Sequence, residues 1–334
     1  MNITIKIGLI IAFAVAIVAV ISVNYGPQHR ADKALLTNDN SVTYDNVPRF
    51  LQRSFPNTDF SKASPAIAGV LTGGPAKDGI PAIDEPKFTA LDEFKRADDI
   101  QAIVIKDGDT TKVYPYNILT WHEIVNDTAN GVPIAVTFCP LCGSAIVFDR
   151  RLSVGESTFG VSGALIESNM VMYDRKTETL WQQSTGEALA GELFEETLAL
   201  QPFQLSTMGE VRAQYPRAKV LSEDTGHIRS YGRNPYSGYN ENDQFIFRPS
   251  SFDERYEQKE IMAVFRVGDA VVATPWLAFA DGSNKITVVA DREIRIEKDN
   301  GELTITDTDG TVYPFFFEMW FSFAVQNPDG IVIE

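Results

Sequence analysis

Sulfur and imidazole are scarce in this chain, which holds two cysteines and three histidines among 334 residues. Thiol chemistry is therefore confined to Cys139 and Cys142, which share one Cys-Pro-Leu-Cys-Gly turn. Positive charge is short as well. Lys and Arg number 29 against 45 Asp and Glu, a formal net charge of −16, and the pI is near 4.7. No Lys/Arg run interleaves with aromatics, and a surface of this sign repels phosphate backbones, which argues against a nucleic-acid partner. A glycine is missing where a hydrolase would need one. Gly160-Val-Ser-Gly163 begins like a nucleophile elbow, but the pattern Gly-x-Ser-x-Gly requires glycine where Ala164 stands, and no strand-to-helix context is evident.

What is present suits a globular protein. Hydrophobic residues make up 44% of the chain, enough for a core in one large or two ordinary domains. At the front, Ile7 to Val23 carries no charge, with only Gly8 and Ser22 as non-hydrophobic members. Such a run is about 25 Å long as a helix, near the short limit for spanning a bilayer and longer than most signal-peptide cores. The expectation is a single-pass N-terminal transmembrane helix anchored in the cell membrane, with the main domain extracytoplasmic. Secretion after cleavage at Ser22 is the alternative. No cysteine lies near the end of the run, which excludes lipid attachment there, and Lys6 against Arg30 and Lys33 leaves orientation nearly undecided by charge.

The remaining chain divides into residues 24–64, polar and irregular like a flexible tether, a core at 65–260, and a C-terminal β region at 261–334 packed on that core. Leu71 to Pro86 is too rich in Gly and Pro for a regular helix or central strand. Phe88 to Asp98 reads as a short amphipathic helix, Ile118 to Val125 as another carrying His122 and Glu123, and Thr207 to Tyr215 as a third that ends before Pro216. Most other periodic segments are strands. The fold class is mainly β, an α+β chain with few short helices, in antiparallel sheets or a barrel-like domain. Lys112-Val-Tyr-Pro with Trp121 is echoed by Thr311-Val-Tyr-Pro with Trp320, which suggests a duplicated β unit.

Strand-like Ile134 to Phe138 and Ala145 to Phe148 flank the cysteine turn, placing the pair at a hairpin tip. A hairpin tip of this form resembles a metal knuckle, in which glycine permits the turn and backbone N–H groups face the thiolates. No helix follows Cys142 to lower a thiol pKa as in thioredoxin-like sites. Two thiolates are half of a tetrahedral shell, so further ligands are needed. His122 is the first candidate, with Glu123, Asp127 or Met172 completing the shell, and copper or zinc as the metal. Thiol–disulfide chemistry and structural cysteines remain open. A ring this small gains little from loop entropy, which weakens a purely structural disulfide. Tyr173, Asp174, Arg175, Trp181 and Gln182 could line a ligand cleft, the plain alternative being a cross-strand aromatic pair beside a charged turn.

Taken in order, Gly73 to Ile83, Tyr114-Pro with His122 to Asp127, Val136 to Gly143, Ser168 to Arg175 with Leu180 to Gln183, and Asp224-Thr-Gly with Tyr231-Gly resemble the family called domain of unknown function 3179. The resemblance covers about Leu71 to Tyr239, with an extension to Pro328 as the alternative. It implies no established reaction, so function has to be argued from the residues. His227 departs from the family pattern and is a poor candidate for a shared role. The membrane is the one partner the sequence implies; a protein or small-molecule partner is not identified by it.

Overall fold

A computed structural model of the chain describes residues 44–276 and 279–333. Valine, isoleucine and phenylalanine alternate through most of this length between Gly, Asn and Asp turns, and the result is mainly β. A seven-stranded sheet, two five-stranded sheets, a three-stranded sheet and a two-stranded ribbon account for the strands. Among the described residues there are four short helices: α1 (Arg49–Ser54), α2 (Tyr116–His122), α3 (Met208–Gln214) and α4 (Trp320–Gln326). Pairing is antiparallel except where Lys219–Leu221 joins Thr110–Pro115, where Ile331–Val332 joins Ala270–Pro275, and at the isolated bridge Ile83↔Val125. The sheets are open, so the barrel-like alternative does not hold.

A repeat runs through this topology. The hairpin of Gln101–Asp107 and Thr110–Pro115 is registered Ala102↔Pro115 to Asp107↔Thr110, and the hairpin of Ile261–Val267 and Ala270–Pro275 is registered Met262↔Pro275 to Val267↔Ala270. Each hairpin receives a later antiparallel strand on its first member: Thr207 opposite Gln101, Met319 opposite Ile261. Each then continues through a helix, α3 or α4, into a parallel strand on its second member, with Val220 opposite Val113 and Val332 opposite Ala273. The duplication thus differs from the one the Tyr-Pro echo suggests. In the observed register Pro115 matches Pro275 and Tyr114 matches Thr274. Tyr313-Pro314 instead leads into Phe315–Met319, and the two tryptophans sit at opposite ends of α2 and α4.

Each unit holds an insertion that docks on the other unit. The first insertion carries α2 and the cysteine hairpin, which joins the second unit through Phe317↔Ala145. The second carries Ser283–Val289, Arg292–Asp299 and Glu302–Asp307, and it reaches the first where Gln204 exchanges two 2.9 Å hydrogen bonds with the Leu303 backbone. One sheet therefore crosses the 260/261 boundary, ordered from Ile331–Val332 through Ala270–Pro275, Ile261–Val267, Phe315–Met319 and the cysteine hairpin to Ile124–Ala129.

Further sequence expectations change: the helix expected over Ile118 to Val125 spans Tyr116–His122, and Ile124–Ala129 is a strand. Phe88–Ala90 is a strand, not the start of a helix, because it pairs with Lys219–Leu221, and tertiary pairing overrides a weak local propensity. The described part of the tether is packed: Leu51 and Phe55 are fully buried in a second core with Ile67, Val171 and Leu180. Helix α3 follows the sequence closely, with Thr207 and Glu210 forming a capping box before Tyr215 ends it. No helix among the described residues is long and apolar enough to cross a membrane; Ile7 to Val23, the expected anchor, lies outside them.

Candidate functional site

The cysteine hairpin consists of Val132–Cys139 and Ser144–Asp149, closed by the pair Cys139↔Ser144. Gly143 at its turn has φ 58°, and an added Cβ would come 3.0 Å from Met319, so both conformation and space select glycine. This tip is not at the surface. Cys139 and Cys142 are 1% and 0% exposed, beneath Tyr239, whose hydroxyl donates to the Leu141 carbonyl at 2.9 Å. Lys259 holds the covering loop by donating to the carbonyls of Tyr239, Asn242 and Gln244 at 2.5–2.7 Å.

The two sulfurs sit in unequal surroundings. Cys142 Sγ lies 3.1 Å from Ser144 Oγ and 3.2 Å from Asn169 Nδ2. Ser144 and Asn169 both reach Gln183 Oε1, at 2.5 and 2.9 Å, and Gln183 Nε2 donates to Thr137 Oγ1 at 2.9 Å. The Ser144 hydroxyl has one hydrogen and two acceptors in reach. When Cys142 is a thiol it donates to Ser144, which donates to Gln183; when it is a thiolate, Ser144 turns to the sulfur and Asn169 still satisfies Gln183. Burial pushes the Cys142 thiol up, but hydrogen bonds from Cys139, Ser144 and Asn169 outweigh it and bring the pKa to about 7. Apart from the hydrogen bond it gives to Cys142, Cys139 has only a weak 3.7 Å contact to the Ser168 carbonyl. Burial and then the hydrogen bond and charge of Cys142 hold its proton well above the usual thiol range.

Two buried carboxyls face the pair electrostatically. Glu123 ends α2 at φ 59° and ψ −32°, a backbone strain worth about 1–3 kcal/mol that sites of function retain. Burial first, then the charge of Cys142, raises its pKa to about 8. Glu318 is also raised to about 8, by burial and Cys142 against a lowering hydrogen bond from Ser322, whose Oγ lies at 2.6 Å. Ser322 accepts from Gln326 at 3.0 Å, and Gln326 accepts from Gln182 and Ser184. Ser184 N donates to Asn169 Oδ1 at 3.0 Å, so the polar network returns to Cys142.

His122 belongs to a different cluster. Its Nδ1 lies 2.7 Å from the Pro81 carbonyl, which can only accept, so Nδ1 carries the proton. Its Nε2 then accepts from Tyr231 Oη at 2.7 Å, and Tyr231 is 2.6 Å from Thr225 Oγ1. Burial lowers the His122 pKa to about 4, leaving the ring neutral. The ring of His227 stands 5.6 Å away, centre to centre. Asp127 is also engaged, by Lys112 at 3.0 Å and Tyr114 Oη at 2.7 Å. Met172 is buried in the core, opposite Val161 and Trp181. No group of three or more His, Cys, Asp or Glu side chains able to hold a metal occurs among the described residues, and both His122 nitrogens already have partners. The donor set expected for copper or zinc is thus not assembled around Cys139 and Cys142.

The five cleft candidates are all engaged by neighbouring side chains. Tyr173 donates to Asp78, Arg175 pairs with Asp84 at 2.7 Å, Trp181 Nε1 donates to Asp174 at 3.2 Å, and Gln182 meets Gln326. Lys77 lies over the rings of Phe55 and Tyr173 and pairs with Glu178 at 2.6 Å. The Gly73 to Pro81 loop is fastened to strand Phe159–Ile166 by Gly73 N to the Gly163 carbonyl at 2.7 Å and Asp78 N to the Val161 carbonyl at 2.9 Å, and Gly163, at φ 75°, leaves room for Pro75.

Asn169, Ser144, Gln183 and Glu318 were not assigned roles from the sequence. Asn169 and Gln183 stand in motifs that carried the family resemblance; Ser144 sits two residues after Cys142, and Glu318 gives no local signal. No curated protein and no solved structure matches the chain. A family model described as "Protein of unknown function (DUF3179)" matches residues 77–315. With both cysteines, His122, Asn169, Gln183 and Tyr231 inside that match, the chain belongs to the DUF3179 family.

Proposed function

We propose that Cys139 and Cys142 form a redox-active dithiol–disulfide couple, with Cys142 as the thiolate and Glu123 as the proton carrier for Cys139. The observation that carries this reading is the unequal hydrogen bonding of the two sulfurs: Ser144 and Asn169 converge on Cys142, while Cys139 keeps its proton. A thiolate with a pKa near ambient pH is close to the optimum for exchange. Burial of both sulfurs restricts the first partner to a small disulfide.

Cys142 attacks one sulfur of that disulfide and releases a thiolate, which takes a proton from water. The mixed disulfide removes the charge that helps hold the proton on Glu123, so the carboxyl ionises and its proton passes to solvent, balancing the one the first thiolate took from water. Cys139 gives its proton to Glu123, attacks the Cys142 sulfur and expels the second sulfur as a thiolate, which Glu123 protonates. Two thiols of the chain are oxidised and one substrate disulfide is reduced to two thiols. The reverse sequence needs a dithiol or two small thiols as reductant. We also propose an extracytoplasmic, membrane-anchored location on the strength of Ile7 to Val23. In such a compartment a vicinal pair cycles only if a reductant serves it.

The test is equilibration of the full chain in graded reduced and oxidised glutathione, followed by acid quench and thiol trapping, with Cys142→Ser and Glu123→Gln beside it. A single two-electron transition, absent in Cys142→Ser and slowed in Glu123→Gln, is expected. Near-stoichiometric metal in chelator-free protein, lost in Cys142→Ser, would instead return the pair to a metal site. A pair that never oxidises, with no metal, sinks the redox reading.

A further inference from the structure

A cleft of about 510 Å³ opens beside the cysteine hairpin, lined by Lys95, Tyr116, Asn117, Phe138, Arg233 and Tyr236 among others. We infer that it binds a small anionic ligand with a flat apolar body, an aromatic carboxylate that also carries a hydrogen-bond donor. The volume lies within the usual range for small-molecule sites.

Three features define the ligand. Tyr116 and Phe138 stack at 3.9 Å between centroids, and with Tyr236 they offer flat walls suited to an aromatic ring. Asn117 Oδ1 is buried without a hydrogen-bond partner. The amide has no freedom to rotate away, because its Nδ2 donates at 3.2 Å to both Glu223 and the Tyr231 carbonyl. A buried acceptor left unpaired costs about 1–3 kcal/mol, which a ligand hydroxyl or amine recovers. The third feature is charge. In a chain of net −16, the cleft has Lys95, Arg96 and Arg233 on its lining. Arg96 is neutralised by Glu223 through a two-pronged pair at 2.6 and 2.7 Å. Lys95 and Arg233 have no side-chain partner among the described residues, and the Tyr116 and Tyr236 hydroxyls donate to none of them. Unpaired cations on a cleft with aromatic walls select a carboxylate, and Asn117 selects a donor.

This inference is independent of the thiol reading, since no cysteine lines the cleft. Phe138 and Pro140 nonetheless flank Cys139 in the chain, so a bound ring rests against its neighbours.

Isothermal titration of the full chain with 4-hydroxybenzoate, benzoate and 4-hydroxybenzyl alcohol tests it. The hydroxybenzoate should bind most tightly, the neutral alcohol and the benzoate about tenfold or more weaker, the value of one lost charged or buried hydrogen bond. Arg233→Ala should weaken hydroxybenzoate about tenfold and leave the alcohol unchanged, and Cys142→Ser should leave both unchanged. Absence of saturable binding by either acid, equal binding of acid and alcohol, or an Arg233→Ala variant that binds hydroxybenzoate like the parent overturns the proposal. Loss of redox cycling in Cys142→Ser with hydroxybenzoate binding intact would separate the two sites.

Discussion

Asn169 places its amide nitrogen 3.2 Å from the sulfur of Cys142, and its amide oxygen accepts from Ser184 N at 3.0 Å. One side chain thus stabilises the thiolate and anchors the strand that brings Gln183 to Ser144. In Asn169→Ala the thiolate midpoint should rise from about 7 toward the ordinary thiol range, read from the pH dependence of alkylation. The orphaned Ser184 N–H should also cost about 1–3 kcal/mol of stability. An unchanged midpoint would mean that Asn169 is structural only.

Glu318 supplies a pH signature. Its pKa is raised from 4.5 to about 8, so the folded state keeps a proton that the unfolded state gives up. That contribution is fully present below the unfolded value and is lost as pH rises through the folded one. At about 1.4 kcal/mol per unit the loss is on the order of a few kcal/mol. Glu318→Gln preserves an acceptor for Ser322 and should flatten the decline in unfolding free energy between about pH 5 and pH 8, measured by urea titration. Parallel curves for parent and variant would count against a protonated Glu318.

His122 should behave as a buried structural residue. With its pKa lowered from 6.5 to about 4, the stability it confers is present above the unfolded value and falls away as pH drops toward the folded one. His122→Gln should lose about 2 kcal/mol or more through its broken bonds to Pro81 and Tyr231. It should leave the alkylation midpoint of Cys142 where it was. A large shift of that midpoint would put the imidazole back beside the sulfurs.

Gly163 tests the fastening of the Gly73 to Pro81 loop. Its φ is 75°, and an alanine Cβ would fall 2.1 Å from the Pro75 carbonyl oxygen, a separation that no rotamer relieves. Gly163→Ala should therefore cost several kcal/mol, through backbone strain and displacement of the loop. Thermal unfolding checks it. A variant as stable as the parent would show the loop free to retreat.

The cysteine hairpin was legible because alternation and a glycine turn are local signals, and both survive in the fold. The capped helix after Thr207 was legible for the same reason. What surrounds the sulfurs was not, since Asn169 reaches Cys142, Gln183 reaches Ser144, and Glu318 acts on Cys142 by charge, all from segments distant in sequence, and nothing at those positions announces a shared pocket. His122 misled because nearness in sequence was read as nearness in space, whereas the strained turn at Glu123 sends adjacent side chains to different clusters. The Tyr-Pro echo misled in a similar way: matching residues fell on elements that are not equivalent, while the true repeat is written in hairpin register and leaves little trace in identity.

That repeat makes a quantitative prediction. Gly108 and Gly268 occupy the same place in the two hairpins, with φ of 58° and 59°, and neither has an atom within 4 Å of where a Cβ would stand. Substitution to alanine therefore changes only the backbone term, about 1–2 kcal/mol for a left-handed residue. If the two units fold as parts of one cooperative structure, joined by Phe317↔Ala145 and by Gln204 with Leu303, Gly108→Ala and Gly268→Ala should lower the urea midpoint by the same amount and leave the slope unchanged. The double variant should show the sum, because distant sites with no shared partner add. A Gly268→Ala variant with a separate early transition would instead mean that the second unit unfolds on its own, and that its contact with the cysteine hairpin is too weak to couple them.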